Sequence, residues 1–389
     1  MNEKKPRMMP PAVLMILGTA LVLLGTSSAR ADHEPQTYSY AGAKSRSQAV
    51  EFPPSPRPRP LAREAAGTDP LIDQKMNDLL DGMLSPALAG LAVHDDRIVY
   101  ERYRRGDDRN LYPAWSMTKS LVSMTVGHAL CEGHIKNLDD LAQVYVPGIE
   151  GTIWGRATLR QLLTMRSGSP RQGLDRGGDY LYAGTSSGLE MVKGLMAVKD
   201  AARRFDSLAD SAPAGTRFTY ANMDTDTLGL VVAAATGKPF AKYLEETVLA
   251  GARLEHPSVI HLDREGHAVT HAYFFASLRD YARLGLYALD LYQGKAGNPC
   301  LKGYMAEALK PHTEARNSIN RSSIGYGYQF WLDPGFGQSP GESVRMSGHQ
   351  GQEVFINLRT GKVAVLLGWR SSLRDKSMQP GSVVEWMVR

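Results

Sequence analysis

The pattern of apolar and polar positions predicts helices and strands in separate parts of the chain. Near the start, residues 70–83 have the spacing of an amphipathic helix whose inward face contains Leu71, Met76, Leu79 and Leu80. Two apolar runs, 89–93 and 98–100, then flank Asp95-Asp96, which predicts a β-hairpin. Residues 116–130 are almost all apolar or small, as in a helix that is covered on every side.

Helical spacing dominates the middle of the chain, roughly residues 138–291, with the clearest helices at 158–165 and 277–291. Strand patterns return afterwards. Residues 326–332 alternate aromatic and small side chains, which predicts a strand.

A second hairpin is predicted near the C-terminus, where the apolar runs 353–358 and 362–369 are joined by Arg359-Thr360-Gly361. A closing helix is expected at 381–388. A sheet built from both ends of the chain, with helices between, is an α+β arrangement. We therefore expect an antiparallel sheet flanked by terminal helices, with an inserted, mostly helical domain.

Residues 1–31 have the composition of a secretory signal peptide, with a basic start, an apolar run at 12–24 and the small residues of 29–31 before Asp32. The apolar run is short for a membrane span. Cleavage before Asp32 is therefore expected, with no stable membrane insertion afterwards. The mature protein should be periplasmic or secreted.

The remaining chain divides by composition. Residues 32–68 are polar and then rich in proline and arginine, which predicts an extended linker. Residues 69–389 are expected to form the folded domain. Its α/β part would come from about 69–115 and 320–389, and its helical part from about 116–319.

Charge and cysteine content exclude several classes of protein. The formal net charge is +5, and the predicted signal peptide carries +3 of it (Lys4, Lys5, Arg7 and Arg30 against Glu3), so the mature chain is near +2 and no nucleic-acid partner is expected. Cys131 and Cys300 could pair in an oxidising compartment, although the pattern slightly favours buried free thiols. The cysteines do not have metal-site spacing. His261, His267 and His271 raise a metal hypothesis because the last two are four residues apart, but no Glu follows the first as in metalloproteases and few acidic residues lie nearby, so we expect no metal or other cofactor.

Ser116 and Lys119 stand one turn apart at the start of the apolar helix. In the simplest interpretation, Ser116 caps the helix and Lys119 reaches solvent. Two features disfavour this: a capping box needs Glu or Gln at the third position, and a cation in the first turn opposes the helix dipole. A buried ammonium should become less basic, and an amine of that kind beside a hydroxyl can activate it as a nucleophile.

Two further motifs follow along the chain. Tyr220-Ala221-Asn222 lies in a loop before a predicted helix, where such residues commonly satisfy local backbone groups. Ser347-Gly348-His349-Gln350-Gly351-Gln352 precedes a predicted strand, and its glycines allow another group to approach the backbone closely. Each motif alone is weak evidence for chemistry.

Together and in this order, the three motifs resemble the pattern of penicillin-recognising serine hydrolases. The surrounding sequence is similar to the class C β-lactamase-like family, in its esterase and amidase branch, and especially to the 6-aminohexanoate-oligomer hydrolases. The similar segments are SMTKS, TLRQLLTMRSG, TYAN, ASLRDYARLGLYAL, YGYQFW and SGHQGQ. The resemblance extends roughly from residue 71 to the C-terminus, which is nearly all of the mature chain.

The resemblance implies a role for each motif residue. Ser116 would be the nucleophile that forms an acyl-enzyme, and Lys119 its base or the group that tunes the base. Tyr220 would pass the proton between serine and leaving group, which requires cations nearby because a free phenol has a pKa near ~10. Asn222 would hold Lys119 or a substrate carbonyl. The backbone N–H groups of Ser116 and Gln352 would form the oxyanion hole.

The third motif departs from the β-lactamase form. His349 and Gln350 stand before Gly351 where β-lactamases usually have lysine and a hydroxyl residue, and a partly neutral histidine holds a carboxylate less firmly. This favours an esterase or amidase. In the middle section, Asp179 and Tyr180 are predicted to contact substrate, although a solvated loop is an equal alternative.

The sequence thus predicts an exported serine hydrolase that acts on small-molecule esters or amides, as a monomer or homodimer. Two alternatives stay open. One is a D,D-peptidase or β-lactamase acting on cell-wall peptides or β-lactams. The other is a penicillin-recognition fold that serves as a sensor without catalysis.

Overall fold

The structure is a computed structural model, which describes residues 48–65, 67–82, 85, 87–169, 212–263, 265–313, 325–332, 342–369 and 381–389. The predicted signal peptide lies outside these residues. Within them, no helix combines the length and the apolar composition that crossing a bilayer requires.

Twelve strands form two sheets in the described residues. They are β1 (Ala49–Phe52), β2 (Ala62–Arg63), β3 (Ala87–His94), β4 (Arg97–Tyr103), β5 (Tyr112–Pro113), β6 (Ser258–His261), β7 (Phe274–Ala276), β8 (Gly325–Tyr326), β9 (Trp331–Leu332), β10 (Ser343–Gly348), β11 (Gln352–Asn357) and β12 (Val363–Gly368). The larger sheet has the order β2-β4-β3-β12-β11-β10-β9-β8 and is antiparallel apart from β2. The smaller sheet has the order β1-β6-β7-β5.

The described helices are α1 (Pro70–Asp81), α2 (Thr118–Cys131), α3 (Leu159–Leu163), α4 (Asn222–Thr236), α5 (Phe240–Leu244), α6 (Ala250–Ala252), α7 (Leu278–Gln293), α8 (Pro299–Ala308) and α9 (Gly381–Val388). A π-helical segment, Glu245–Leu249, joins α5 to α6. Most of these helices lie between β5 and β8 in the sequence, so the predicted α+β arrangement is confirmed.

Both predicted hairpins are confirmed. In the β3–β4 hairpin, Asp95 and Asp96 adopt positive φ values of 51° and 57°. Two consecutive left-handed residues give a turn whose twist matches that of the flanking strands. The second hairpin pairs β11 with β12.

The terminal helices α1 and α9 cover one face of the larger sheet, as predicted. Buried side chains from α1, α9 and the sheet form one apolar cluster that includes Ile72, Met76, Leu80, Phe355, Leu366 and Trp386. The indole Nε1 of Trp386 also donates to Asp69 Oδ2 at 2.6 Å, at the N-cap of α1. The two ends of the chain are therefore joined by both apolar and polar contacts.

The predicted single strand at 326–332 is wrong. The segment is divided between two short strands, β8 and β9, and residues 327–330 form a tight turn between them with Gln329 at a φ of 60°. The side-chain nitrogen of Gln329 donates to the carbonyls of Leu162 and Leu163, and its side-chain oxygen accepts from Thr225 at 2.8 Å. These buried bonds fix the turn against helices α3 and α4, a tertiary effect that alternating side chains do not reveal.

The described part of the predicted linker, residues 48–65, is extended but packs on the folded domain. β1 pairs with β6, and Phe52 is buried. Arg59 forms ion pairs with Asp96 at 2.7 Å and Asp290 at 2.6 Å. The guanidinium and the strand pairing therefore hold a segment whose composition indicates only an extended chain.

The expectation of buried free thiols is also wrong. Cys131, at the end of α2, and Cys300, at the start of α8, form a disulfide with a Cα–Cα distance of 5.6 Å. The Cys300 side chain is exposed and that of Cys131 is half-buried. Their 169-residue separation in the sequence gave no indication that the two helix ends meet.

Candidate active site

Ser116 lies in a one-turn 3₁₀ helix, Trp115–Met117, that leads directly into α2. Its side chain caps nothing: neither helix start has a side-chain cap. The preceding residue, Trp115, has a φ of 45°, a left-handed conformation that costs about 1–2 kcal/mol for a residue with a side chain. The indole packs against Tyr273 and His349, and these contacts help to hold the strained backbone.

Lys119 is fully buried, and its amine is held at three points. Nζ lies 3.1 Å from Ser116 Oγ, 2.8 Å from Asn222 Oδ1 and 2.8 Å from the backbone carbonyl of His271. Two of these partners can only accept, so two N–H bonds of the amine point at them. The remaining tetrahedral direction faces the hydroxyl of Ser116. In its neutral form, the amine would direct a lone pair at that hydroxyl.

Asn222 reaches Lys119 because helix α4 begins at Asn222. One turn of this helix is anchored by Asp224, whose Oδ1 accepts from Ser167 at 2.6 Å, Trp154 at 3.1 Å and Ser169 at 3.3 Å. Burial raises the pKa of Asp224 to about 7, and the three hydrogen bonds oppose that rise. The start of α4 is thus tied to the segment that follows α3.

Tyr220 is brought beside Lys119, with the lysine Nζ 5.1 Å from the centroid of the tyrosine ring. The ring stacks on Trp331 at a centroid distance of 5.4 Å and meets Tyr326 edge-on at 6.1 Å. An ammonium at this distance from an aromatic ring can form a cation–π contact. Strands β8 and β9 therefore supply the aromatic surface against which Tyr220 is positioned.

The third motif lies against the segment that carries Ser116. A Cβ atom on Gly348 would come within 2.3 Å of the Ala114 carbonyl, so only glycine permits this approach. The turn His349–Gly351 continues from there, with Gln350 at a φ of 63° and Gly351 at 92°. Trp115 Nε1 donates to Gln350 Oε1 at 3.2 Å, which links the two left-handed residues across the site.

The remaining predicted residues fall in three classes. Gln352 closes the β10–β11 pair opposite Gly348, and its side chain is buried, whereas His349 is exposed. Asp179 and Tyr180 lie outside the described residues. The three histidines considered as metal ligands each have other partners: His261 stacks on Tyr273 and lies against Phe275, His267 lies by Asp263, and His271 binds Asp226. No group of three potential metal ligands occurs in the described ranges.

Two parts of the site have no counterpart in the sequence analysis. The carbonyl of His271 holds Lys119, but a backbone acceptor leaves no trace in residue identity. Trp115 and Trp331 frame the serine and the tyrosine. The aromatic residue directly before the serine was the one signal that could have drawn attention to Trp115.

A comparison with protein families identifies the family of this chain. The model of the Beta-lactamase family matches residues 72–376, which is most of the chain. The chain belongs to the β-lactamase family. By family, it is a serine hydrolase. The structure brings Ser116, Asn222 and Tyr220 close to Lys119.

Several solved structures are similar to this chain and share its fold. A protein from Bacillus anthracis, described as a 6-aminohexanoate-dimer hydrolase, has a TM-score of 0.68 at 21% identity, covering 90% of this chain and 91% of its own. EstCE1, a hydrolase with promiscuous acyltransferase activity, has a TM-score of 0.62 at 13% identity, covering 82% and 97%. A D-stereospecific amidohydrolase from Streptomyces sp. has a TM-score of 0.57 at 18% identity, covering 76% and 93%.

Proposed function

We propose that the chain is an exported hydrolase that cleaves ester or amide bonds of small substrates through an acyl-enzyme on Ser116. The observation that carries the proposal is the distance of 3.1 Å between Lys119 Nζ and Ser116 Oγ, in a fully buried amine that also donates to Asn222 Oδ1 and the His271 carbonyl. Burying an ammonium is costly without hydrogen-bond partners, so a lysine without a role in the site would be expected to reach solvent instead.

Acylation would begin when the amine of Lys119, or the phenolate of Tyr220, takes the proton from Ser116. The serine oxygen then forms a bond to the substrate carbonyl carbon, and the carbonyl electron pair moves to its oxygen. When the tetrahedral intermediate collapses, the bond to the leaving alcohol or amine breaks and that group receives a proton from the Tyr220 hydroxyl. If the Lys119 amine was the base, its ammonium then returns a proton to Tyr220. In deacylation, water would attack the acyl carbonyl carbon and lose a proton to the group that acted as acid before. The bond to the Ser116 oxygen then breaks, and that oxygen receives the proton.

The oxyanion of each intermediate would be held by the backbone N–H groups of Ser116 and Gln352. Support for this assignment comes from the close approach of Gly348, the strand partner of Gln352, to Ala114. Donors fixed by backbone geometry need no reorganisation as charge develops, which is why they contribute strongly to catalysis.

His349 and Gln350 favour an ester or amide over a β-lactam as substrate. His349 is exposed, and Gln350 is turned toward Trp115. Neither residue supplies the fixed ammonium that would hold a β-lactam carboxylate. The described hydrolase and amidohydrolase structures with the same fold agree with this choice of substrate class.

Export rests on two observations. Residues 1–31 have the composition of a signal peptide, and Cys131 forms a disulfide with Cys300. Structural disulfides persist in oxidising compartments and are rare in the cytosol. We therefore expect the mature protein outside the cytoplasm.

The test is an activity screen on purified protein that begins at Asp32. A fluorophosphonate probe should label Ser116, as located by peptide mass spectrometry. Turnover should then be measured on p-nitrophenyl butyrate, 6-aminohexanoate dimer, a D-aminoacyl amide, a D-Ala-D-Ala peptide and nitrocefin. We expect hydrolysis of the ester and of at least one amide.

Ser123→Ala is the matched control for Ser116→Ala. Ser123 is also in α2, but its Oγ lies 3.2 Å from the Tyr304 hydroxyl, in the helical core. Labelling and turnover should survive Ser123→Ala and disappear in Ser116→Ala. Turnover confined to nitrocefin or the D-Ala-D-Ala peptide would replace the proposal by a cell-wall or β-lactam activity. No labelling and no turnover on any substrate would favour a sensor.

A further inference from the structure

Near Lys119, the buried carboxylate of Asp226 accepts several hydrogen bonds from Thr270 and His271. Asp226 Oδ1 accepts from the backbone N–H of His271 at 3.1 Å and from Thr270 Oγ1 at 3.0 Å. Its Oδ2 lies 2.9 Å from Nδ1 of the His271 ring. The carbonyl of that same residue, His271, accepts from Lys119 Nζ at 2.8 Å.

We propose that Asp226 is a positioning residue for the catalytic lysine, acting through His271. The hydrogen bonds of Asp226 described above are made with Thr270 and His271. Its carboxylate fixes both the backbone nitrogen and the ring of His271, and so sets the direction of the peptide carbonyl that holds the Lys119 amine. This inference rests on the proposed function of Lys119 as base or base-tuning group.

Helix α4 makes the arrangement compact. Asn222 and Asp226 are four residues apart and therefore share one helix face. Asn222 binds the Lys119 amine directly, and Asp226 binds the segment that supplies another acceptor for it. One rigid helix thus sets the positions of two acceptors of the amine, Asn222 Oδ1 and the His271 carbonyl.

Packing holds the same segment from a second direction. A Cβ atom on Gly229 would lie 2.6 Å from Thr270 Cγ2, so the segment rests directly on the backbone of α4. Any larger residue at position 229 would push Thr270, and with it His271, away from the helix. The position of the carbonyl thus depends on a polar clamp and on close contact.

Asp226 is also reachable from outside the catalytic site. It lines a cavity of about 470 Å³ between α4, the start of α5 and the loop after β6, together with Leu230, Ala233, Phe240, Leu262 and Ala268. A small carboxylate such as formate can enter a space of this size. The cavity therefore offers a way to replace the Asp226 carboxylate after its removal.

The experiment compares Asp226→Asn and Asp226→Ala with the wild type in p-nitrophenyl butyrate hydrolysis. Displacing a catalytic group by about 1 Å can cost about 10²-fold in rate, so we expect kcat to fall by up to that factor with little change in KM. Formate should restore part of the kcat of Asp226→Ala. In crystals of Asp226→Asn, we expect the hydrogen bond between Lys119 Nζ and the His271 carbonyl to be lost.

Asp280→Asn is the matched control, because Asp280 is also buried but accepts from the backbone N–H groups of Glu255 and His256 instead of from Thr270 and His271. Asp280→Asn should lower the free energy of unfolding without changing kcat, and formate should not raise its kcat. An unchanged kcat in Asp226→Asn, or an intact Lys119–His271 bond in its crystals, would refute the positioning role. A wild type inactive on all substrates would instead refute the proposed function, and the crystallographic comparison would still decide the role of Asp226.

Discussion

The amine of Lys119 donates to the side-chain oxygen of Asn222 at 2.8 Å, in a position where the lysine is fully buried. The same amine lies 3.1 Å from Ser116 Oγ. An amide oxygen cannot take a proton at neutral pH, so Asn222 orients the lysine without competing for the serine proton. This hydrogen bond stabilises the buried amine and fixes its direction toward Ser116. The first prediction depends on that orientation.

Removal of the catalytic side chains should abolish or sharply reduce turnover without unfolding the protein. Ser116→Ala should leave no esterase activity, because no acyl-enzyme can form. Lys119→Ala and Tyr220→Phe should each lose about 10²–10⁴-fold in kcat, the usual contribution of a positioned acid or base. Steady-state kinetics with p-nitrophenyl butyrate, together with circular dichroism of each variant, provide the measurement. Full esterase activity in Ser116→Ala would contradict the assignment.

Gly348→Ala should cost about 10²-fold in kcat, comparable to the loss of one oxyanion-hole donor. The added Cβ would meet the Ala114 carbonyl at 2.3 Å and force the third motif away from Ser116. Gly303→Ala, in helix α8, is the control because nothing lies within 4 Å of its added Cβ.

For the exposed His349, replacement by alanine should cause a smaller loss than Ser116→Ala. An equal loss would mean that the imidazole takes part in the chemistry.

Loss of the disulfide should destabilise the protein but spare the site. Cys131 and Cys300 join the C-terminal end of α2 to α8, whereas Ser116 precedes the other end of α2. The double substitution Cys131→Ser with Cys300→Ser should lower the free energy of unfolding by about 2–5 kcal/mol, as measured by urea denaturation. The kcat at 25 °C should stay close to that of the wild type. A parallel collapse of kcat in a folded variant would show that the bridge shapes the active site.

Asp224 should make the folded state sensitive to pH between about 4 and 7. Burial raises its pKa from 3.8 to about 7, so the folded protein binds this proton more tightly than the unfolded chain does. The stability that Asp224 contributes is therefore complete below the unfolded pKa and is lost as the pH rises through about 7. Asp224→Asn keeps an acceptor for Ser167 and Trp154 but cannot ionise. Relative to the wild type, this variant should become more stable as the pH rises from 4 to 8.

Urea denaturation at a series of pH values measures this difference. Asp280→Asn serves again as a control, since Asp280 lies beside the guanidinium of Arg283 at 3.1 Å. A stability difference between wild type and Asp224→Asn that stays constant across the pH range would disprove the titration.

Local patterns predicted the elements that depend on neighbouring residues. The β3–β4 hairpin follows from Asp95-Asp96, because a turn of two polar residues between apolar runs has few alternatives. Helix α7 follows from Ser277 and the periodic apolar residues after it, and Ser277 accepts from the Asp280 N–H as an N-cap. Predictions failed where distant contacts decide, as at Gln329, whose turn is fixed by bonds to Leu162, Leu163 and Thr225.

By itself, the sequence determined the α+β class and the helix that follows Ser116. It also determined that Ser116, Lys119, Tyr220 and Asn222 belong to motifs whose order resembles that of serine hydrolases. These depend on residue type and spacing, which are local properties. Only the tertiary structure decided that the His271 carbonyl completes the lysine site, that Asp226 clamps that carbonyl, and that Cys131 meets Cys300. Each of these joins groups far apart in the chain, and a backbone carbonyl is the same at every residue, so its role depends on where the fold carries it.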